Sequence, residues 1–251
     1  MECNSFLSAG SASVRITPPV GIPLDGYGIR DKPSKGVHDH LKARTLILSD
    51  DETFISLISL ELLYVPYQVA EMVHRVAQRE LGIPEDSVLL AAVHTHSGPS
   101  VLGIHSCMEE QFTDEYVSLL SAYVSQALIS AYNNMQKARI SFVKGMVRNW
   151  TINRRRPLDG ITDEEVITMG VEDAEGRSIA SVVNFTCHAV VLGPNNLMVS
   201  ADYPGYVSRI VESVEKKHMS IPQWGMWGRK SLHSRKDPWA LLWVPSKWDA
   251  R

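Results

Sequence analysis

Short apolar runs divide this chain, and their spacing switches between the two-residue period of strands and the 3.6-residue period of helices. "SASVRIT" (residues 11–17) reads as a strand closed by Pro18 and Pro19. "LKARTLILSD" and "TFISLISLELL" are two apolar, β-branched runs split by Asp50, Asp51 and Glu52, and they predict paired core strands. In "VPYQVAEMVHRVAQRELG" the residues Val65, Val69, Met72, Val73 and Val76 share one face of a helix, which Gly82 ends. "DSVLLAAVH" is the next buried strand, and a long helix is expected from about Asp114 to Lys137 with Thr113 as its N-cap. "ARISFVKGMVRNW", "EEVITMGVED" and "SIASVVNFTCH" are further strands, the last two joined by the turn "AEGR", and "ADYPGYVSRIVESVEKK" is an amphipathic helix. "GIPLDGYGIRDKPSKG" and "TINRRRPLDG" read as loops.

Strands and helices do not strictly alternate, and neighbouring strands are joined by short turns. The fold class is therefore α/β, with a mixed β-sheet core and flanking helices rather than an all-parallel sheet. The pattern holds for residues 1–220 and fails in 221–251. That tail, "IPQWGMWGRKSLHSRKDPWALLWVPSKWDAR", has neither period, is basic, and holds five of the six tryptophans.

Composition is that of a globular protein of 251 residues, 44% hydrophobic and 21% charged. A net charge of -3 gives no drive toward nucleic acid or an anionic membrane. Cys3, Cys107 and Cys187 are odd in number and lack CxxC spacing, which argues against a disulfide framework. No apolar run is long enough for a transmembrane segment, and the first residues lack a signal-peptide pattern, so a cytoplasmic location is the expectation. Nothing in the sequence addresses oligomeric state.

The candidate chemistry lies where apolar strands stop. "LLAAVHTHSGPS" places His94 and His96 at the end of one buried run, and "SIASVVNFTCHAVVLGP" places His188 at the end of another. Each is followed by a Gly-Pro turn. Two readings stand at this point: half-buried histidines satisfied by backbone, or imidazoles converging on a metal, for which imidazole is the commonest protein ligand. Cys187 adjoins His188 but faces the other way in a strand and reads as a core thiol. Asp202 either caps the helix it opens or orients a ligand imidazole from behind. "NRRRP" (Asn153 to Pro157) is a cationic loop, either solvated or folded over the histidines with an arginine aimed at a carboxylate or an oxyanion. His38, His40 and His105 lie in loops, His74 in a helix, and His218 and His233 near or in the tail.

"ITPPVGIPLDGYG", "GVHDHLKARTLIL", "AAVHTHSGPS", "NRRRP" and "NFTCHAVVLGPNNLMVSADYPGY" occur in that order from about Val14 to Lys217. Together they resemble the N-terminal catalytic domain of the neutral/alkaline, non-lysosomal ceramidase family. The resemblance implies a zinc amidohydrolase acting on a small-molecule amide or lipid substrate such as ceramide. It implies His94 and His188 as zinc ligands, His96 beside the metal, and Arg154 lining the site. It also implies a glutamate and a tyrosine ligand and a "GD-x-S/N-P" motif, which are not present, so the chain is expected to be truncated. The alternatives are an inactive fragment and a metal hydrolase of another amide or ester. Family ceramidases are often secreted, against the cytoplasmic expectation.

The tail admits an explanation in codons. TGG read one base later gives glycine, so all five tail tryptophans become glycines in the +1 frame, and Met226-Trp227 becomes Cys-Gly. With permitted codons, Gln223 to Ser231 reads NG(A/E)CG(D/E)xNP, close to the absent family motif. The tail is therefore expected to be out of frame, irregular from Ile221, and to leave a sheet edge unpaired.

Overall fold

The computed structural model describes residues 7–101, 110–214, 219–223 and 230–231. Strand β1 (Ser8–Arg15) pairs antiparallel with β3 (Lys42–Ser49), and β3 pairs antiparallel with β4 (Phe54–Leu60). The β3–β4 turn is set by Asp50, whose Oδ1 accepts the Glu52 and Thr53 amides at 3.2 and 2.8 Å. β4 then pairs in parallel with β5 (Val88–Ala92) across helix α1 (Tyr67–Glu80). After helix α2 (Glu110–Asn133), β6 (Gln136–Met146), β8 (Glu165–Asp173) and β9 (Ser178–Phe185) run antiparallel in turn. β9 pairs in parallel with β11 (Met219–Gln223) across helix α3 (Asp202–Val214). Two small pairs complete the set: β2 (Gly36–Val37) with β10 (Met198–Val199), and β7 (Ile152–Asn153) with β12 (Lys230–Ser231).

The eight-stranded order is β11-β9-β8-β6-β1-β3-β4-β5, mixed as expected. It is narrow at one point: among the described residues β1 meets β6 through Ser8–Lys137 and Ala9–Gln136, with Ala138 N donating to Leu7 O at 2.8 Å just beyond. β3 explains how the sheet is used. Its Ala43 and Ile47 face one way, in one cluster with Ile58, Val69 and Val73 of β4 and α1 and Leu120, Val124 and Leu128 of α2. Its Leu46 and Leu48 face the other way and cluster with Val171, Ile179, Ala180 and Val182 of β8 and β9. A strand buried on both faces reads as a continuous apolar run, which is what "LILS" supplies. The sheet thus folds back on itself, half against half. Helices α1 and α2 cover the outside of one half, and α3 packs on β11 of the other. No helix among the described residues is long and apolar enough to cross a membrane.

Several expectations are corrected. α2 is already helical at Glu110, so Thr113 lies inside the helix and is not its N-cap. The helix stops at Asn133, and Gln136 and Lys137 already belong to β6. In α1 the buried stripe is Val69, Val73 and Ala77, and Met72, a quarter-turn away, is 38% exposed. Gly82 ends α1 with a left-handed φ of 69°, just past the cap residue Leu81. Ile221–Gln223, expected to be irregular, belong to β11, which pairs the edge of β9 that was expected to stand open. The five tail tryptophans and His105, His218 and His233 lie outside the described residues.

Candidate metal centre

The histidines arrive at the site by leaving their strands, not by continuing them. β5 ends at Ala92, and the chain runs on beside β4 through Val93 N to Leu60 O (2.9 Å) and Thr95 N to Leu62 O (3.2 Å). Between them His94 takes φ 61°, the left-handed region, which turns its side chain out of the strand's alternation. His188 likewise sits three residues beyond β9. The two loops are stitched together: His96 N donates to Ala189 O (3.1 Å), Ser200 N to Ser97 O (3.0 Å), and Thr95 Oγ1 to Ser200 O (2.8 Å). Asp202 holds the loop after His188 from behind. Its carboxylate accepts the Val191, Leu192 and Tyr203 amides at 3.3, 3.1 and 2.7 Å. That is a backbone brace for the His188 loop, with Ser200 Oγ accepting the Asp202 amide at 2.9 Å.

His94, His96 and His188 converge. One ligand atom from each falls within 4.8 Å of the others. The His94 and His188 rings stack at 4.9 Å between centroids, and His96 stands edge-on to both, at 5.2 and 4.5 Å. His94 Nδ1 donates to Leu63 O at 2.8 Å, which fixes its tautomer and leaves Nε2 as a lone-pair donor. His96 Nε2 and His188 Nε2 lie 2.7 Å apart, so with both rings neutral a shared proton between them requires one to donate and the other to accept. Burial lowers the pKa of all three; for His188, with His94 and Arg154 nearby, to about 3. All three are therefore neutral at neutral pH, the state in which imidazole binds a metal. Three neutral imidazoles with convergent nitrogens fit a borderline-soft divalent cation, which would take the place of the shared proton.

The wall around the cluster comes from the loops after β1 and β4. The Tyr27 ring lies edge-on to His96 at 4.9 Å, and Tyr64 edge-on to His94 at 5.6 Å. Arg30, 9% exposed, is a hub of backbone carbonyls. Its Nη1 donates to Leu24 O, Asp25 O and His96 O at 3.2, 2.9 and 3.1 Å, and Nη2 to Gly193 O at 3.4 Å. One guanidinium thus ties three segments around the histidines. Burial lowers its pKa to about 10, so it stays a cation, and that charge helps hold His96 neutral.

Gly26 makes the close approach possible. It has φ 107°, and a Cβ there would lie 2.5 Å from His96 Cγ and Nδ1. Gly26→Ala is expected to destabilise the protein by about 1–3 kcal/mol through strain and overpacking. Gly28→Ala, where a Cβ meets nothing within 4 Å, is the control in urea unfolding. Equal midpoints for the two variants would remove His96 from this position.

Arg154 follows β7 and is half-buried: burial and the neighbouring Arg155 lower its pKa, Tyr27 raises it, and its charge lowers that of His188. Cys187 is buried beside Val93 and Phe185, as a core thiol. Three other histidines are elsewhere: His38 bonds to Asp39, His40 to Thr17 and His74 to the Val88 carbonyl. Sequence reasoning missed Arg30, Tyr27, Tyr64 and Gly26 as site residues. The only signal was a Gly-rich loop carrying Asp, Tyr and Arg between predicted strands.

Fold and site together define an α/β protein whose folded sheet closes on a buried three-imidazole centre able to hold a metal. The chain belongs to the neutral/alkaline non-lysosomal ceramidase family, whose N-terminal model matches residues 8–226. It is 25% identical to neutral ceramidase A of Dictyostelium discoideum over 243 residues, 88% of this chain and 34% of that protein. With the neutral ceramidase of Oryza sativa subsp. japonica it shares 22% identity, over 94% of this chain and 32% of the relative. The crystal structure of neutral ceramidase from Pseudomonas aeruginosa has the same fold, with a TM-score of 0.79 at 19% identity, over 91% of this chain and 40% of that one. The chain spans about a third of the length of the curated relatives it matches.

Proposed function

We propose that this chain carries the histidine part of a zinc-dependent amidohydrolase site that cleaves an N-acyl amide, such as ceramide, to an amine and a fatty acid. The observation that supports it most directly is the convergence of neutral His94, His96 and His188, with the Arg154 charge near enough to His188 to lower its pKa. In this reading His94 and His188 hold the ion and His96 stands beside it. Zinc, when bound, supplies Lewis acidity toward the scissile carbonyl and an attacking water.

The chain's own groups do the rest. His96, held neutral by burial, by the neighbouring imidazoles and by Arg30, can contact the substrate or the reacting oxygen beside the ion. Arg154 offers planar N–H donors to the oxygen that gains charge as the carbonyl becomes tetrahedral. Arg30 and Asp202 keep the two histidine loops in register, and the Tyr27 and Tyr64 rings restrict water. Arg154→Ala in the protein carrying this chain is expected to lower kcat for amide hydrolysis by roughly 10²-fold or more. An unchanged kcat, measured by release of fatty acid, would make the loop mere surface. Zinc content by atomic emission, with hydrolysis of N-acylsphingosine, tests the reading as a whole; hydrolysis undiminished after chelation sinks it.

The tail belongs to the same reading. Residues 1–220 form the ceramidase-like unit, and most of 221–251 is translated out of frame. The coding DNA across Ser220 to Arg251 is expected to spell NGxCG followed by Asp or Glu and Asn-Pro one base later. Codons that give no such motif in the +1 frame overturn it.

A further inference from the structure

The stretch "GVHDH" (residues 36–40) sends neither of its histidines to the cluster. Between them stands Asp39, whose side chain is 9% exposed. Its Oδ1 accepts the Ala201 amide at 3.0 Å and Arg209 Nη1 at 3.3 Å. Its Oδ2 accepts the Ser200 hydroxyl, and His38 Nδ1 at 2.9 Å. A Cβ on Gly205 would come within 3.2 Å of Oδ1, so the carboxylate lies against the first turn of α3. Burial opposes its charge. The bonds from Ser200, His38 and the Ala201 amide, with the Arg209 charge, outweigh that and keep its pKa below the usual carboxylate value.

What this carboxylate holds is Ser200, fully buried, and Ser200 is where the two histidine loops meet. Its amide donates to Ser97 O and its carbonyl accepts Thr95 Oγ1, both in the loop of His94 and His96. Its Oγ accepts the amide of Asp202, which braces the loop of His188. Asp202 itself sits at φ 56°, a left-handed conformation that a residue with a Cβ keeps only where its surroundings over-determine it. A hydroxyl carries one proton. Because Ser200 gives that proton to Asp39, the lone pairs of Oγ are left for the Asp202 amide. Asp39→Asn would put an N–H donor against Oγ while its oxygen stays on the Ala201 amide, and the hydroxyl proton would lose its acceptor.

We propose that Asp39 is a positioning residue for the metal centre: through Ser200 it sets the spacing between the His94–His96 loop and the His188 loop, and so the fit of the three imidazoles to an ion. The proposal rests on the reading of that cluster as a metal centre. The path is short, from Asp39 to Ser200 and from there to Thr95, between two of the imidazoles, and to Asp202, behind the third. A residue that only capped α3 would hold the Ala201 amide and leave the histidines alone.

Cobalt(II) binding to the whole chain, followed by visible absorption, tests it, with Val171→Ala as the comparison. Val171 is fully buried in the other cluster, on β8, so Val171→Ala lowers stability without touching either histidine loop. Asp39→Asn is expected to weaken cobalt binding about tenfold, the low end for a group that acts through a ligand's partners, and to change the visible bands. Val171→Ala is expected to do neither, whatever its shift in urea midpoint. The second measurement is nitrogen–proton NMR of the imidazole rings in the metal-free chain. Asp39→Asn is expected to move the ring signals of His188 and of His94 or His96, and Val171→Ala to leave them in place. Should Asp39→Asn not fold, Ser200→Ala, which removes the hydroxyl and keeps both backbone bonds, is read in the same way. Ring signals and cobalt affinity that stay as in the parent, or that follow loss of stability equally in both variants, overturn the proposal and reduce Asp39 to a cap on α3. Failure of the metal reading looks different. A parent chain that takes up no cobalt, with rings that still move in Asp39→Asn, loses the metal centre and keeps the positioning residue.

Discussion

His188→Ala is expected to lower zinc affinity by at least a hundredfold and to abolish amide hydrolysis. Even the outer partners that orient a metal ligand are worth 10- to 100-fold, and His188 is placed as a ligand itself. The loss has a second source. With His188 gone, His96 Nε2 loses its 2.7 Å partner in a site where burial already holds it neutral, so it can turn away or bind water. Zinc retained after dialysis against a weak chelator is the measurement, with His74→Ala as the control, because His74 lies on α1 and bonds to the Val88 carbonyl, outside the three-imidazole cluster. If His188→Ala keeps zinc as the parent does, the ion is held elsewhere.

Glu61→Ala is expected to cost about 3–5 kcal/mol of folding stability, a large share of the 5–15 kcal/mol a domain of this kind possesses. Arg44 is 1% exposed and its Nη1 meets Glu61 Oε1 at 2.5 Å. Glu61 Oε2 also accepts the Lys42 amide at 2.6 Å, and Glu212 on α3 bonds Arg44 Nε and Lys42 Nζ, each at 3.1 Å. Among the described residues, removing Glu61 leaves a buried guanidinium with the partly exposed Glu212 as its acidic partner. It also loosens the segment that positions the site, since the carbonyls of Leu60, Leu62 and Leu63 receive Val93, Thr95 and His94. Urea unfolding decides it. A loss below about 1 kcal/mol would mean that water or Glu212 compensates the charge, which its burial argues against.

The sequence made the histidines visible for a physical reason. An imidazole at the end of a fully apolar run is out of place unless it has a partner, and His94, His96 and His188 all carry that mark. Arg154 was visible through its cationic loop and the family motif around it. The partners were not. Arg30 sits in a Gly- and Pro-rich stretch where no periodicity applies, and its four carbonyl acceptors come from three segments up to 163 residues away. Arg44 shows only as a charge inside "KARTLILS"; that Glu61 answers it depends on the β3–β4 register, and that Glu212 does depends on where α3 lands. The fold-back of the sheet was hinted at by the unbroken apolar run of β3. The strand at 219–223 was lost because the tryptophans that follow it drew the boundary too early.

The short contact between β1 and β6 gives the fold the mechanics of a book. Its spine is the Ser8–Lys137 and Ala9–Gln136 pairing, and its pages are the two half-sheets. The histidine loops, which follow β5 and β9, close the fore-edge like a clasp. Leverage then favours the fore-edge. Three strand spacings of about 4.8 Å separate β1 from β5, so opening the spine by about 2° shifts the loop carrying His94 by roughly half an ångström, the whole tolerance within which reacting groups must be held. Changes at the spine, far from any imidazole, should therefore be felt first as lost alignment of the histidines, well before the pages come apart.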